Sequence, residues 1–111
     1  MSDIANVVTI RHLNDQLRQS LAGGLLVMTA GVIARSPARQ LTILQAVAAF
    51  DTFDESNDPY GEHDFGALEV EGERLFWKID YDNRDLSAHS PDPADPSVTT
   101  RVLTIMLAEE Y

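Results

Sequence analysis

The most regular alternation of apolar and polar residues in the chain runs from residue 65 to residue 81. Two segments, 65–70 and 73–81, flank Glu71 and Gly72, and Gly72 can adopt the positive φ that a tight two-residue turn requires. The alternation therefore predicts a β-hairpin. Its apolar face, which we expect to face the core, consists of Leu68, Val70, Leu75, Trp77, Ile79 and Tyr81.

The predicted turn fixes the register of the hairpin. Gly66 is placed opposite Trp77, where the missing side chain leaves room for the indole ring. At the open end of the hairpin, His63 is placed opposite Asp80. A shift of one residue would reverse both faces, so these two pairs are a direct test of the register.

Residues 7–21 are predicted to form an amphipathic helix, because apolar side chains recur there every three or four residues. Gly23 and Gly24 follow as a flexible C-terminal cap. The apolar stripe consists of Val7, Ile10, Leu13, Leu17 and Leu21, and the polar side of Arg11, Asn14, Asp15 and Arg18.

Residues 25–34 predict a buried strand, because they are rich in β-branched side chains and are flanked by glycine. Within this segment, Gly31 indicates a bulge or a site of close packing. Ser36 and Pro37 then begin a second helix, as N-cap and first helical residue. Residues 51–62 follow as an acidic loop.

After the hairpin the chain is predicted to end in a third helix. Residues 82–96 include the string SPDPADP and are predicted to be irregular, because proline removes backbone donors and fixes φ. Asp95 and Pro96 repeat the pattern of N-cap and first helical residue. Glu109 and Glu110 would oppose the helix dipole unless basic side chains lie close. The apolar stripe of this helix consists of Val98, Val102, Ile105 and Met106.

The predicted order of elements is helix, strand, helix, hairpin, helix. We expect an α+β fold with two layers, in which about three strands pack against the helices. A chain of 111 residues lies in the usual size range of one domain, so residues 1–111 are predicted to form a single domain.

The net charge of −10 is unevenly distributed. Residues 1–50 hold four arginines and two aspartates, whereas residues 51–111 hold the other sixteen acidic residues and four basic ones. Direct binding of nucleic acid is not expected, because phosphate contacts need clustered basic side chains. No apolar run reaches the ~20 residues of a membrane span. With no cysteine and no basic signal-peptide region, a soluble cytoplasmic protein without membrane contacts is expected.

Several strings of the sequence carry a family resemblance. They are GEHDFG at 61–66, FWKIDYDNRD at 76–85, SPDPADP at 90–96 and TIMLAEEY at 104–111, with LNDQLR at 13–18 and VMTAGV at 27–32. Together they resemble a bacterial family of short proteins of unknown function. The resemblance spans nearly the whole chain and implies no activity, ligand or catalytic residue.

The densest group of chemically useful side chains surrounds His63. It consists of Asp58, Glu62, His63, Asp64, Asp80, Asp82 and Asp85. An imidazole oriented by Asp80 and supported by Asp64 would be a general base. Asp58, Glu62 and His63 would be the ligands of a divalent metal such as Mg²⁺, Mn²⁺ or Ca²⁺. The alternative interpretation is structural, with the aspartates capping turns and His63–Asp80 as a cross-strand pair.

No established metal or nucleotide motif occurs in the sequence. Residues 54–65 begin like an EF-hand calcium loop, but Pro59 stands where glycine is needed and Phe65 where a bidentate glutamate is needed. Phosphate-loop, dinucleotide and H-E-x-x-H motifs are also missing. We therefore expect no cofactor, with a divalent metal as the alternative.

The charge of residues 51–95 and the lack of a catalytic motif favour a binding or regulatory protein without enzymatic activity. Asp54, Glu55, Asp58 and Glu62 are predicted to bind a basic protein partner, or to mimic nucleic acid toward a DNA-binding protein. The alternative function is a small metal-dependent or acid–base enzyme with its site around His63.

The second face of the hairpin carries an apolar strip of Phe65, Ala67 and Phe76. If this strip is exposed, it favours a partner or a homodimer. If a helix covers it, the strip is ordinary core.

Overall fold

The computed structural model describes residues 3–111, with side chains from residue 6 onward. The elements of this part of the chain are α1 (Asp3–Ser20), β1 (Gly24–Met28), α2 (Ala30–Ile33), α3 (Pro37–Ala49), β2 (Phe65–Val70), β3 (Glu73–Asp82) and β4 (Thr100–Leu107). Short 3-10 turns at Pro96–Val98 and Ala108–Glu110 flank β4. Within residues 3–111, no helix is both long enough and apolar enough to cross a membrane.

The strands form one mixed sheet in the order β1-β4-β3-β2. β4 lies between β1, to which it is parallel, and β3, to which it is antiparallel. β2 and β3 are the predicted hairpin, in which Gly66 pairs with Trp77 and Val70 with Glu73. The hairpin and its register are therefore confirmed, and the sheet has one strand more than predicted.

The extra strand is β4, so the prediction of a third helix at the end of the chain is wrong. The predicted start survives as a 3-10 turn, in which Asp95 Oδ1 accepts a hydrogen bond from Ser97 N (2.9 Å). The neighbouring strands cover both edges of β4 and the helices cover one of its faces, and Ile105 and Met106, which point to opposite faces, are both buried. Consecutive buried residues hide the period of two, and the same residues match a helical stripe.

The strand predicted at residues 25–34 is only half as long in the structure, and it is an edge strand with Leu25 and Val27 exposed rather than the predicted buried strand. β1 ends at Met28, and Ala30–Ile33 turns into α2. Gly31 is the predicted site of close packing, because a Cβ at this residue would lie 2.8 Å from the Glu110 carboxylate oxygens. The backbone N–H of Gly31 donates to Glu110 Oε2 (2.8 Å), so the glycine brings the C-terminal turn against α2.

The start of α3 agrees with the sequence prediction, whereas the end of α1 does not. Ser36 Oγ accepts from Arg39 N (3.2 Å) and Pro37 is the first residue of α3, which confirms the predicted cap. After α1, however, Leu21 rather than Gly23 is the first residue with positive φ, at 60°. The glycine pair therefore follows the cap and leads into β1.

The helices pack on the sheet face that carries Trp77, which confirms a two-layer α+β arrangement. The core includes Ile10, Leu17, Val32, Ile43 and Val47 from the helices and Leu75, Trp77, Ile79, Leu103 and Ile105 from the sheet. On the other face, Tyr111 packs against Phe65 and Phe76, with ring centroids 5.9 and 5.1 Å apart. The C-terminal tyrosine, and not a helix, lies against the apolar strip.

Candidate functional site

The acidic loop, residues 51–62, is ordered by hydrogen bonds of its own side chains. Asp54 Oδ1 accepts from Ser56 N (2.8 Å) and Ser56 Oγ (2.5 Å). Asn57 Oδ1 accepts from Asp54 N (2.9 Å), and Asn57 Nδ2 donates to Thr52 O (2.8 Å). The hydrogen bonds from Ser56 also lower the pKa of the Asp54 carboxyl, which keeps it ionised.

Three side chains of α1 anchor the far end of this loop. Arg11 Nε donates to Gly61 O (2.7 Å), and Asn14 Nδ2 donates to Glu62 O (3.0 Å). Asp15 Oδ1 lies 2.9 Å from His63 Nδ1. Because residues three and four apart share a helix face, one face of α1 fixes the loop.

The structure divides the four predicted partner-binding residues into two pairs. Asp54 and Glu55 are exposed to solvent. Asp58 is buried, and its Oδ1 accepts from His63 N (3.0 Å). Glu62 Oε1 accepts from the hydroxyl of Tyr81 (2.8 Å). Only the first pair is free to meet a partner from solution.

His63 is held between the loop and α1. Its ring stacks on Phe53, with centroids 3.7 Å apart and an interplanar angle of 5°. Nδ1 faces Asp15, and Nε2 lies 3.7 Å from Asp58 Oδ2. The imidazole is therefore oriented by carboxylates, as a base or metal ligand would be, but one face of its ring is packed against Phe53.

The predicted pairing of His63 with Asp80 is wrong. His63 has a φ of 57°, and β2 begins two residues later at Phe65, so the backbone leaves the ladder before residue 63. Asp80 pairs along the sheet with Val102, and its Oδ2 lies 3.0 Å from Lys78 Nζ. The positive φ turns His63 toward α1, where Asp15 takes the predicted role of Asp80.

Asp64 extends the hairpin by one bond, because Ile79 N donates to its carbonyl (2.9 Å). This bond continues the predicted register one residue beyond Phe65. Burial raises the pKa of the Asp64 carboxyl, and the nearby charge of Glu62 raises it further. The surroundings of Asp64 thus push its carboxyl toward the protonated form.

A buried chain of hydrogen bonds connects the loop with the middle of the sheet. Tyr81 donates to Glu62, and Asn14 Nδ2 donates to the Tyr81 oxygen (2.8 Å). Arg101 Nε donates to Asn14 Oδ1 (2.9 Å). Burial raises the pKa of the Tyr81 phenol well above its usual value, so the tyrosine remains a donor. The network joins α1, β3, β4 and the acidic loop.

Two polar residues of α1 are buried, contrary to the sequence prediction. Asn14 and Arg18 were assigned to the polar side of the helix, but they are 0% and 3% exposed. Arg18 Nη1 donates to the carbonyls of Val47 (3.0 Å) and Phe50 (2.8 Å) at the end of α3. Asn14 and Arg18 follow the buried Ile10 at intervals of four, which was the available signal for this face.

The predicted metal ligands do not converge. Within the described side chains, residues 6–111, no group of three or more histidine, cysteine, aspartate or glutamate residues could hold a metal ion. Glu62 is engaged with Tyr81, and Asp80 lies beside Lys78. Asp85 is exposed in the following turn. What the structure assembles is a histidine between two aspartates.

These features define a two-layer α+β fold with an acidic loop fixed to its first helix. The chain belongs to the family described as "Protein of unknown function (DUF3768)", whose model matches residues 28–110. The match confirms the resemblance to a family without an established function, and it leaves the whole of α1 and residues 24–27 of β1 outside. Comparison with curated proteins and with solved structures gives no significant match.

Proposed function

We propose that this protein is a non-enzymatic binding or regulatory protein whose acidic loop recognises a basic protein partner. One observation carries the proposal: Asp51, Asp54 and Glu55 are exposed carboxylates on a loop held by its own hydrogen bonds and by α1. Among residues 6–111, none of these three acids forms an ion pair.

Fixed charges suit this role for a physical reason. Ordering a mobile loop on binding opposes association, so a loop that is already ordered retains more of the interaction free energy. Complementary charge also raises the association rate and excludes wrong partners. The net charge of −10 makes a basic partner the natural complement.

The hairpin turn contributes less free charge than the sequence suggested. Glu73 pairs with Arg35 through both carboxylate oxygens, and Glu71 Oε1 lies 3.0 Å from Arg39 Nε. These ion pairs tie the turn to the start of α3. We therefore place the binding surface on the acidic loop.

The test is a charge-matched pair of variants. The loop variant carries Asp51→Asn, Asp54→Asn and Glu55→Gln, and asparagine at residue 54 keeps an acceptor for Ser56. The control variant neutralises three exposed acids elsewhere, namely Glu69→Gln, Asp85→Asn and Glu109→Gln.

Proteins captured from a lysate by the wild type are identified by mass spectrometry, and the capture of each is compared at low and high salt. We expect a basic protein that the control variant retains and the loop variant loses, with capture weakened by salt. Equal capture by both variants, or equal loss from both, would show that the loop is not the binding surface.

A second candidate is a small metal-dependent or acid–base enzyme with its site at His63. The 2.9 Å contact between His63 Nδ1 and Asp15 favours it, because it fixes the orientation of the ring. Calorimetric titration with Mg²⁺, Mn²⁺, Ca²⁺ and Zn²⁺ tests the metal form, with His63→Gln as the control. Binding heat that His63→Gln abolishes would support a metal-dependent enzyme. The absence of heat with all four ions would exclude a metal-dependent enzyme.

The bacterial source and the cytoplasmic location of the protein are also proposals. The resemblance of the GEHDFG, SPDPADP and TIMLAEEY strings to a bacterial family supports a bacterial source. The acidic, cysteine-free composition supports a cytoplasmic location. We also propose that two copies of the chain associate through the second face of the hairpin. The molecular mass in solution tests this homodimer.

A further inference from the structure

A cleft separate from the acidic loop lies where α1 meets the first residues of β1 and β4. Its volume is about 490 Å³, which is within the range of pockets that hold small molecules. The residues that matter for its chemistry are Leu13, Gln16, Leu25, Arg84, Thr100 and Arg101. The lining thus combines one apolar side chain from α1 and one from β1 with polar groups and two arginines.

Arg101 is the unusual member of this lining. It is 2% exposed, and its guanidinium donates to Asn14 Oδ1 and to the carbonyl of Pro93. It also lies over the ring of Tyr81, 5.3 Å from the centroid. Within residues 6–111, no carboxylate forms an ion pair with Arg101.

A buried cation without a direct ion pair is unfavourable, because the charge of Glu62, which acts on Arg101 from a distance, offsets its desolvation only in part. Burial is also the main reason that the pKa of Arg101 is lowered. The hydrogen bonds to Asn14 and Pro93 satisfy donors but bring no negative charge. An anion bound in the cleft would supply it.

Arg84 places a second cation at the same cleft. It is exposed, and Nη1 makes one long contact, 3.4 Å, to the carbonyl of Pro96. Arg84 likewise has no ion pair among the side chains of residues 6–111. In a protein of net charge −10, two unpaired arginines at one cleft form a local positive field.

We propose that this cleft binds a small organic anion, with Arg84 and Arg101 recognising its carboxylate or phosphate group. A guanidinium presents paired donors that match the oxygens of either group. Leu13 and Leu25 pack against the apolar body of the ligand, and Thr100 supplies a further hydroxyl. The described residues that line the cleft include none of the acidic loop, and Arg101 is connected to that loop through Asn14 and Tyr81.

The probes are benzoate and phenyl phosphate, with benzyl alcohol as the neutral control of similar shape. Titrations are followed by backbone NMR shifts of the whole chain. We expect saturable shifts at Leu25 and Thr100 with an anion and none with benzyl alcohol. Saturation by benzoate alone identifies a carboxylate ligand, and saturation by phenyl phosphate alone identifies a phosphate ester.

Two arginine variants locate the site. Arg84→Gln should weaken anion binding about tenfold, as expected for the loss of hydrogen bonds between charged groups. Arg74→Gln, which removes one exposed arginine from the hairpin, should leave binding unchanged. Arg101→Lys should weaken binding while keeping the charge, and if it does not fold, Arg84→Gln carries the test alone.

Two results would overturn the proposal. One is the absence of saturable shifts with both anions. The other is an equal loss of binding in Arg84→Gln and Arg74→Gln, which would show a general effect of net charge and no site at the cleft.

Discussion

Trp77 lies directly across the hairpin from Gly66, and its indole ring fills the space that a side chain at residue 66 would occupy. Phe50 and Phe53 meet the same indole edge-on, with centroids 5.5 and 6.2 Å away. The packing of Trp77 in the core therefore fixes the register of the hairpin, because a one-residue slip would move Trp77 out of the core.

Gly66→Val should destabilise the protein, since the new side chain would collide with the indole. Trp77→Ala should lower the free energy of unfolding by about 3–5 kcal/mol through lost burial and the cavity left behind. Glu69→Lys is the control, because Glu69 is exposed on the same strand. Urea unfolding gives the midpoints, and an unchanged midpoint for Gly66→Val would contradict the packing described here.

Arg18→Met should destabilise the protein by roughly 3 kcal/mol, because it leaves the carbonyls of Val47 and Phe50 without their charged donor. The side chain is of similar length, so the loss would come mainly from the hydrogen bonds. Arg74→Met, at an exposed position, serves as the control. Thermal unfolding followed by circular dichroism measures both, and equal midpoints would show that Arg18 does not hold the end of α3.

His63 should be energetically coupled to Asp15 and not to Asp80. A double-mutant cycle with His63→Gln and Asp15→Asn should give a coupling free energy of about 0.5–3 kcal/mol, the range for residues in contact. The cycle with Asp80→Asn should be additive, because Asp80 contacts Lys78. Coupling to Asp80 of the same size would restore the pairing expected from the sequence.

Glu110→Ala should destabilise the protein more than Glu109→Ala. Glu110 accepts hydrogen bonds from Thr29 Oγ1, Gly31 N and Leu107 N, and these bonds, that of Thr29 first, lower the pKa of its carboxyl.

A lowered pKa means that the stabilisation is present above the usual glutamate pKa of about 4.3 and is lost as the pH falls through the folded value. The difference in stability between the wild type and Glu110→Ala should therefore become smaller at acidic pH. Unfolding midpoints at neutral and acidic pH test this, and a difference independent of pH would contradict it.

Asp64→Asn should stabilise the protein at neutral pH. Burial and the charge of Glu62 raise the pKa of this carboxyl, so its ionisation opposes folding. The penalty is present above the raised folded pKa and disappears as the pH falls toward the unfolded value of about 3.9. The gain from Asp64→Asn, measured as a shift in the urea midpoint, should thus vanish in acid. A loss of stability at neutral pH would show that the carboxylate has a favourable role.

Local chemistry in the sequence determined several parts of this fold. The Glu71-Gly72 turn and the period of two fixed the hairpin register, and the Ser36-Pro37 cap fixed the start of α3. Each of these features depends on residues close together in the chain. Their interactions can therefore be predicted from the local sequence, without the rest of the structure.

The candidate site depended on contacts between distant residues. Asp15 lies 48 positions from His63, and Asn14 lies 87 positions from Arg101. No local sequence pattern predicts these pairs. Polarity alone predicts that an asparagine or arginine of α1 faces solvent, although Asn14 and Arg18 are buried. The sequence identified His63 as a candidate, whereas only the tertiary structure showed which carboxylate orients it.

β4 shows the same division most clearly. The segment RVLTIML has apolar residues at spacings that fit a helix and a buried strand equally well, so its own sequence cannot decide between them. The decision comes from β1 and β3, which supply hydrogen-bonding edges on both sides. Pairing with two neighbours satisfies the backbone on both edges, and the helices cover the face that carries Leu103 and Ile105. This arrangement exists only once the sheet has assembled.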